Sequence, residues 1–375
     1  MTAAAPAADG TLVAWTWQRP KGLIVLTSIV AIVLIGVVDA VTGPDLSVLT
    51  FYFLPVLFAT WFVGRGAGMA LSAGSAAEWI VIDLVANGGH ITHGVSLWNT
   101  AIHVAFFIGG VWAVGELKES LEQHERAERQ RIAHEFDTAR EVQKALLPKE
   151  PDAQIRGFDV AASCEPALGI SGDFYDFVAI DDERFLLALG DVSGKGISAG
   201  LLGASLLGGL RSLAPLYRGR VDELVGHLST MLQKASPSVR YATLFAAEYD
   251  FASSRLRWVN AGHPSGLILH RSSAVPTSLD SSGTVVGLFP NVEWKQRESL
   301  LEPGDTLILF SDGLSEATDA NGNEFGEERI AATVAELTTE PASIIHRALI
   351  EAVTRFTGGE RLSDDRTLVV LRRDT

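Results

Sequence analysis

Residues 304–326 read GDTLILFSDGLSEATDANGNEFG. The run 306–310 is short, continuous and apolar, which predicts a strand buried on both faces. It stops at Ser311-Asp312-Gly313, so a carboxylate stands where the apolar strand ends. The same arrangement recurs elsewhere. Asp191 follows the apolar run 185–189 directly after Gly190, and Asp173 opens the run 174–180 after Ser171-Gly172. Asp364 and Asp365 immediately precede the final run, 367–371. Surface turns also favour Asp and Gly, so one such site carries no weight. Four of them, each on an apolar β element, predict one carboxylate cluster at a shared sheet edge.

Electrostatics states what such a cluster requires. Two carboxylates about 4 Å apart repel by roughly 4 kcal/mol at an effective dielectric of about 20. Four together need cations or protons. Donors that are all oxygen, with no Cys or nearby His, select Mg2+ or Mn2+ and disfavour zinc. Two such ions about 3.5–4 Å apart share a bridging water and lower its pKa, and that water attacks phosphorus in line without a protein nucleophile.

Outward from this stretch, the chain beyond residue 157 alternates short β-like runs with turns and a few helices. Strands are expected at 158–162, 174–180, 184–190, 242–249, 255–259, 267–270, 306–310 and 367–371. Helices are expected at 199–213, 221–234, 327–336 and 342–356. Many short strands with helices between groups of them predict an α+β sandwich, not a doubly wound sheet. No dinucleotide fingerprint follows a strand, and GDVSGKG (190–196) lacks the phosphate-loop spacing.

The first third of the chain has a different character. The 375 residues carry a net charge of −15, with 47% hydrophobic and 20% charged residues. Residues 1–115 hold three basic groups (Arg19, Lys21, Arg65) and five acidic ones, leaving 27 of the 30 basic and 40 of the 45 acidic side chains for the remainder. This excludes a disordered or collagen-like chain. An acidic soluble part also argues against sequence-independent nucleic-acid binding, which needs Lys and Arg on phosphates. The single cysteine, Cys164, suits a reducing compartment.

Uncharged runs at 22–38, 46–64 and 95–115, with 66–86 added despite its two acids, are long enough to cross a hydrocarbon core. The chain is therefore expected to comprise a cytoplasmic tail (1–21), a four-span transmembrane domain (22–115), a helical linker (116–155) and a soluble domain (156–375). Basic residues at the tail, at Arg65 and after Gly115 place both termini in the cytoplasm. Glu78, Asp83 and His103 are the polar groups inside the bundle. They form either a ligand or proton sensor or an interhelical hydrogen bond.

Residues 116–149 contain no Gly, and Pro only at 148, which predicts one long helix ended by that proline. Leu117 and Leu121 begin an apolar seam that Ile132, Phe136, Ala139 and Leu146 resume after a polar stretch. A parallel two-helix stalk would make the protein a homodimer; the alternative is a solvated spacer.

GDFYDF (172–177), GDVSGKGISAGLL (190–202), YATLFAAEYD (241–250), WVNAGHPSGLIL (258–269), the opening stretch and SDDRTLVV (363–370) together resemble the SpoIIE-like bacterial branch of the metal-dependent type 2C (PPM) serine/threonine protein phosphatases. AREVQKALLP (139–148) resembles the helix that precedes that domain. The resemblance spans about residues 139–372 and implies an αββα sandwich of two β-sheets flanked by helices.

It implies two divalent cations, Mn2+ or Mg2+. Asp191 would bridge them, the Val192 carbonyl would bind the second, Asp312 and Asp364 would complete the shell of the first, and Asp173 would hold waters of the second. Gly172, Gly190 and Gly313 would permit close backbone approach, and Asp365 would support its neighbour Asp364. Asn260 and His263 match a recurrent motif, as structural loop residues or substrate contacts. Ser193 stands where the eukaryotic branch carries a general-acid His. No equivalent of the eukaryotic phosphate-binding Arg is evident, and Lys195 is the candidate in its place.

The implied function is a phosphatase anchored in the bacterial inner membrane, with its catalytic domain in the cytoplasm. It would hydrolyse phosphoserine or phosphothreonine on an anti-anti-sigma-type regulatory protein by attack of a water bridging two metals. The alternative is a non-catalytic metal-binding docking module. A sensor kinase is disfavoured, because no ATP-binding pattern follows His134.

Overall fold

The structure is a computed structural model that describes residues 20–42, 49–86, 95–148, 155–167, 169–235, 240–273, 275–359 and 362–374. The chain divides into two compact units, residues 1–131 and 132–375.

The first unit is helical: α1 (Lys21–Thr42), α2 (Leu49–Phe62), α3 (Arg65–Ala86) and the first part of α4 (Val95–Leu146). Ile32, Tyr52, Val56, Ala59, Leu71, Phe107 and Val111 form its core, while many other apolar side chains on these helices face outward. Arg65 pairs with Glu116 at 2.9 Å and Glu119 at 3.2 Å. By length and composition, α1 and residues 100–146 of α4 qualify as membrane spans. α2 is apolar but has 14 residues, and α3 carries Glu78 and Asp83. Most of the N-terminal tail lies outside the described residues. A further helix apolar enough by the same measure, Ile197–Leu216, is a core element of the second unit.

The second unit is a four-layer α/β/β/α sandwich. Its strands are β1 (Phe158–Glu165), β2 (Asp173–Asp181), β3 (Arg184–Val192), β4 (Ala242–Asp250), β5 (Arg255–Ala261), β6 (Gly266–Leu269), β7 (Thr277–Leu279), β8 (Arg297–Leu300), β9 (Thr306–Phe310) and β10 (Arg366–Arg373). One sheet has the strand order β2-β3-β4-β5-β8, the other β1-β10-β9-β6-β7, and neighbours are antiparallel. Helices α5 (Ile197–Leu213) and α6 (Val221–Ala235) cover the first sheet. After the single turn α7 (Asp312–Ser315), α8 (Gly326–Ala335) and α9 (Ala342–Phe356) cover the second.

The helices form because their apolar residues recur at helical spacing. α9 buries Ala342, Ile345, Leu349 and Val353, and α6 buries Val221, Leu224, Val225, Leu228 and Leu232. Each fully buried Leu contributes about 1.5–3 kcal/mol. Strands β7 and β8 were not expected from the sequence. The first is three residues long, and the second, RESL, lies at a sheet edge with no buried residue and so shows no apolar alternation.

Candidate active site

Strand alternation places the carboxylates. On β3, Leu187 and Leu189 face the core between the sheets, as do Tyr175 on β2, Leu307 and Leu309 on β9, and Val369 and Leu371 on β10. Side chains two residues apart share a face, so Asp191, Asp173, Ser311 and Thr367 prolong the same stripes to the end of the sandwich. There the apolar core gives way to oxygen. Asp173 and Asp191 are direct partners across the β2–β3 ladder. Asp312 opens α7 two residues beyond β9, and Asp364 lies in the turn before β10.

Two glycines allow this convergence. A Cβ on Gly172 would stand 2.8 Å from Asp191 Oδ1 and 2.9 Å from the Val192 carbonyl oxygen. A Cβ on Gly313 would collide with the Asp365 carbonyl oxygen.

Asp173 is 1% exposed. Its Oδ2 accepts the Thr367 hydroxyl at 2.6 Å, while Oδ1 is buried and has no hydrogen-bond partner among the described residues. Burial, and then the neighbouring Asp191, push this carboxyl well above the usual range. Burial followed by Asp312 and Asp364 pushes Asp191 up to about 7. Asp312 is raised by burial and by Asp364. Lys195 Nζ pairs with Asp364 Oδ2 at 3.0 Å and donates to the Ser363 carbonyl at 3.1 Å, and the bond to Asp364 raises its pKa. Among the described residues no three or more His, Cys, Asp or Glu side chains are gathered into a group that could hold a metal ion; the carboxylates line an open rim of oxygen donors. Its chemistry, all oxygen and charged in excess, together with the orphaned Asp173 Oδ1, fits hard divalent cations.

Backbone clamps hold the rim. Asp365 accepts the N–H groups of Ala167 at 2.8 Å and Gly172 at 2.7 Å, fixing the entry to β2. At the end of α4, Gln143 Nε2 donates to the Ser171 carbonyl at 2.6 Å and Gln143 Oε1 accepts the Ser171 N–H at 2.9 Å. Arg211 on α5 donates to the Leu146 carbonyl and to buried Asp176, both at 2.6 Å. Arg240 donates to the Ser193 carbonyl at 2.7 Å, bracing the loop after Asp191. Sequence reading did not assign roles to Gln143, Thr367 or Arg240. Their one legible signal is Thr367, a polar residue at a core-facing position of an apolar strand.

Asn260 and His263 are 0% and 4% exposed. Asn260 Oδ1 accepts the His263 N–H at 2.8 Å, and its amide donates to the Leu279 carbonyl at 3.1 Å. His263 Nδ1 meets Thr243 Oγ1 at 2.9 Å, and Thr243 pairs with Asp191 across β3 and β4. Both side chains are buried, in keeping with a role as structural loop residues.

In the helical unit, two of the three expected polar groups have described surroundings. Glu78 packs towards Gly36 and Tyr52, whereas His103 packs on Trp79, with ring centroids 5.0 Å apart. The Asp83 side chain lies outside the described residues.

Residues 181–374 match the profile of the family described as Stage II sporulation protein E (SpoIIE). The chain belongs to this family. Phosphoserine phosphatase RsbU of Bacillus subtilis is 30% identical over 256 residues, which cover 66% of this chain and 72% of that protein. Phosphoserine phosphatase RsbP of the same organism is 28% identical over 197 residues, covering 49% of this chain and 46% of RsbP. The SiaA-PP2C domain of Pseudomonas aeruginosa superposes with a TM-score of 0.58 at 19% identity, over 66% of this chain and 99% of that one. At that identity the likeness is one of fold, and the fold is the PP2C sandwich. The SpoIIE family is a phosphatase family, and this member carries an acidic rim at the open end of its sandwich.

Proposed function

We propose that this SpoIIE-family chain is a membrane-anchored phosphatase that removes phosphate from phosphoserine or phosphothreonine on a regulatory partner of anti-anti-sigma type. The observation that carries the reading is the Asp173–Asp191 pair at the mouth of the sandwich, joined electrostatically to Asp312 and Asp364. Asp173, Asp191, Asp312, Asp364 and the Val192 carbonyl would hold two divalent cations, Mn2+ or Mg2+. When bound, these supply Lewis acidity and a water activated for in-line attack on phosphorus.

The chain's own residues prepare the site. Thr367 orients Asp173 through Oδ2 and leaves Oδ1 free for a ligand. Asp365 and Gln143 fix the loop that delivers Asp173. Lys195, half-exposed at the rim beside Asp364, offers an ammonium to an incoming phosphate. With Ser193 in place of a histidine, no imidazole stands at that position to protonate the leaving oxygen.

The names of RsbU and RsbP support phosphoserine as the target class. Membrane anchoring is supported by the apolar, outward-facing surfaces of α1 and α4. A dimeric stalk is supported by exposed Leu117, Leu121, Ile132 and Phe136. The membrane helices would act on the site by shifting the end of α4, where Gln143 and Leu146 are fastened. The test is phosphate release from a phosphoserine protein by the full-length chain in membrane vesicles. Release with added Mn2+ that a chelator abolishes is the expected result; binding of the phosphoprotein without release would favour a docking module instead.

A further inference from the structure

Glu78 is unused by the phosphatase reading, and its surroundings are specific. It lies on α3, and a Cβ on Gly36 of α1 would collide with its Oε1. The same Cβ would come within 3.1 Å of the Tyr52 hydroxyl on α2. The carboxyl and the phenol therefore converge from two helices on one glycine of a third. Tyr52 is 1% exposed, and its hydroxyl has no hydrogen-bond partner among the described residues. Glu78 likewise has no hydrogen bond or ion pair among them. The titratable groups facing Glu78 are Tyr52 and, on α1, Asp39; His103 on α4 packs on Trp79 instead. Arg65, the basic residue of α3, is engaged by Glu116 and Glu119.

We propose that Glu78, Tyr52 and Gly36 form a proton-binding site within the helical unit. Gly36 leaves the space for the two oxygens to approach. With the proton on, the Glu78 carboxyl donates to the Tyr52 oxygen; with it off, the Tyr52 hydroxyl donates to the carboxylate. Each state gives the orphaned phenol a partner, and the two states differ by one charge at the seam of three helices. An ionisable side chain inside an apolar bundle marks such a site. The inference rests on the proposed membrane reading of these helices and is independent of the phosphatase chemistry.

The probe is N,N′-dicyclohexylcarbodiimide, an apolar reagent applied to vesicles containing the full-length protein between pH 5 and 9. It takes up the O–H of a protonated carboxyl across one C=N bond and rearranges to an acylurea that keeps every atom of both molecules, so peptide masses locate it. Glu78 should be labelled, with the rate falling about tenfold per pH unit above a midpoint. Glu78→Gln should remove that label, and Tyr52→Phe, a conservative change, should shift the midpoint. Vesicles are washed with alkaline carbonate first. Loss of the protein in the wash overturns the membrane reading and the site with it. Retention with Glu78 unlabelled, or labelled at a rate independent of pH, overturns the site alone. An unmoved midpoint in Tyr52→Phe overturns the three-residue assignment.

Discussion

Gln143 and Ser171 are joined by two hydrogen bonds through one side-chain amide, which takes both the carbonyl and the N–H of Ser171. Ser171 is two residues from Asp173, so the end of α4 holds the backbone that positions a carboxylate of the rim. Gln143→Ala leaves both backbone groups without this partner, at a cost of about 1–3 kcal/mol. The expected result is a several-fold rise in the Mn2+ concentration giving half-maximal phosphate release, read by Mn2+ titration. An unchanged midpoint would uncouple the clamp from the site.

Thr367→Val keeps the shape of the side chain and removes the donor to Asp173 Oδ2. Hydrogen bonds to charged groups contribute about 1.5–3 kcal/mol, and a freed carboxylate rotates away from its preset orientation. Thermal unfolding should occur at lower temperature, and Mn2+ binding measured by calorimetry should weaken. A variant with wild-type Mn2+ affinity would show that Asp173 needs no orientation from β10.

His263 supplies a pH dependence. Burial lowers its pKa from 6.5 to about 3, so the folded state holds it neutral while the unfolded chain takes up a proton below pH 6.5. The neutral histidine's contribution is complete above pH 6.5 and is lost as pH falls towards 3. At pH 5 that loss is about 2 kcal/mol relative to pH 7. Urea unfolding at the two pH values should show a smaller difference for His263→Gln than for the wild type. Equal differences would mean that His263 is protonated in the fold.

Much of the architecture is legible in the sequence because its cause is local. The runs 306–310 and 185–189 are apolar on both faces, and each becomes a central strand. Asp173 and Asp191 are legible because each stands at the end of such a run, in step with the core-facing Tyr175 and Leu189, and Asp312 and Asp364 because each borders an apolar run. β8 is not legible, since an edge strand reading RESL needs no apolar alternation. The supports of the site escape for a different reason. Thr367 meets Asp173 across 194 residues of chain, and Gln143 meets a backbone, which leaves no complementary residue type to recognise. Glu78 lies on α3 and His103 on α4, and side-chain direction on α3 turns Glu78 to Gly36 and Trp79 to His103, neighbours that the apolar sequence around them does not single out.

Divalent-cation-dependent phosphate hydrolysis is proposed for the Asp173–Asp191 rim. Its most direct test is phosphate release from a phosphoserine protein, with Mn2+, by full-length wild type and Asp191→Asn in the same vesicles. Asparagine matches aspartate in size and removes the charge that Asp312 and Asp364 act upon. The rate should fall by about 10²-fold or more in the variant, with the substrate protein still bound. Release at the wild-type rate by Asp191→Asn would mean that Asp191 takes no part in the hydrolysis.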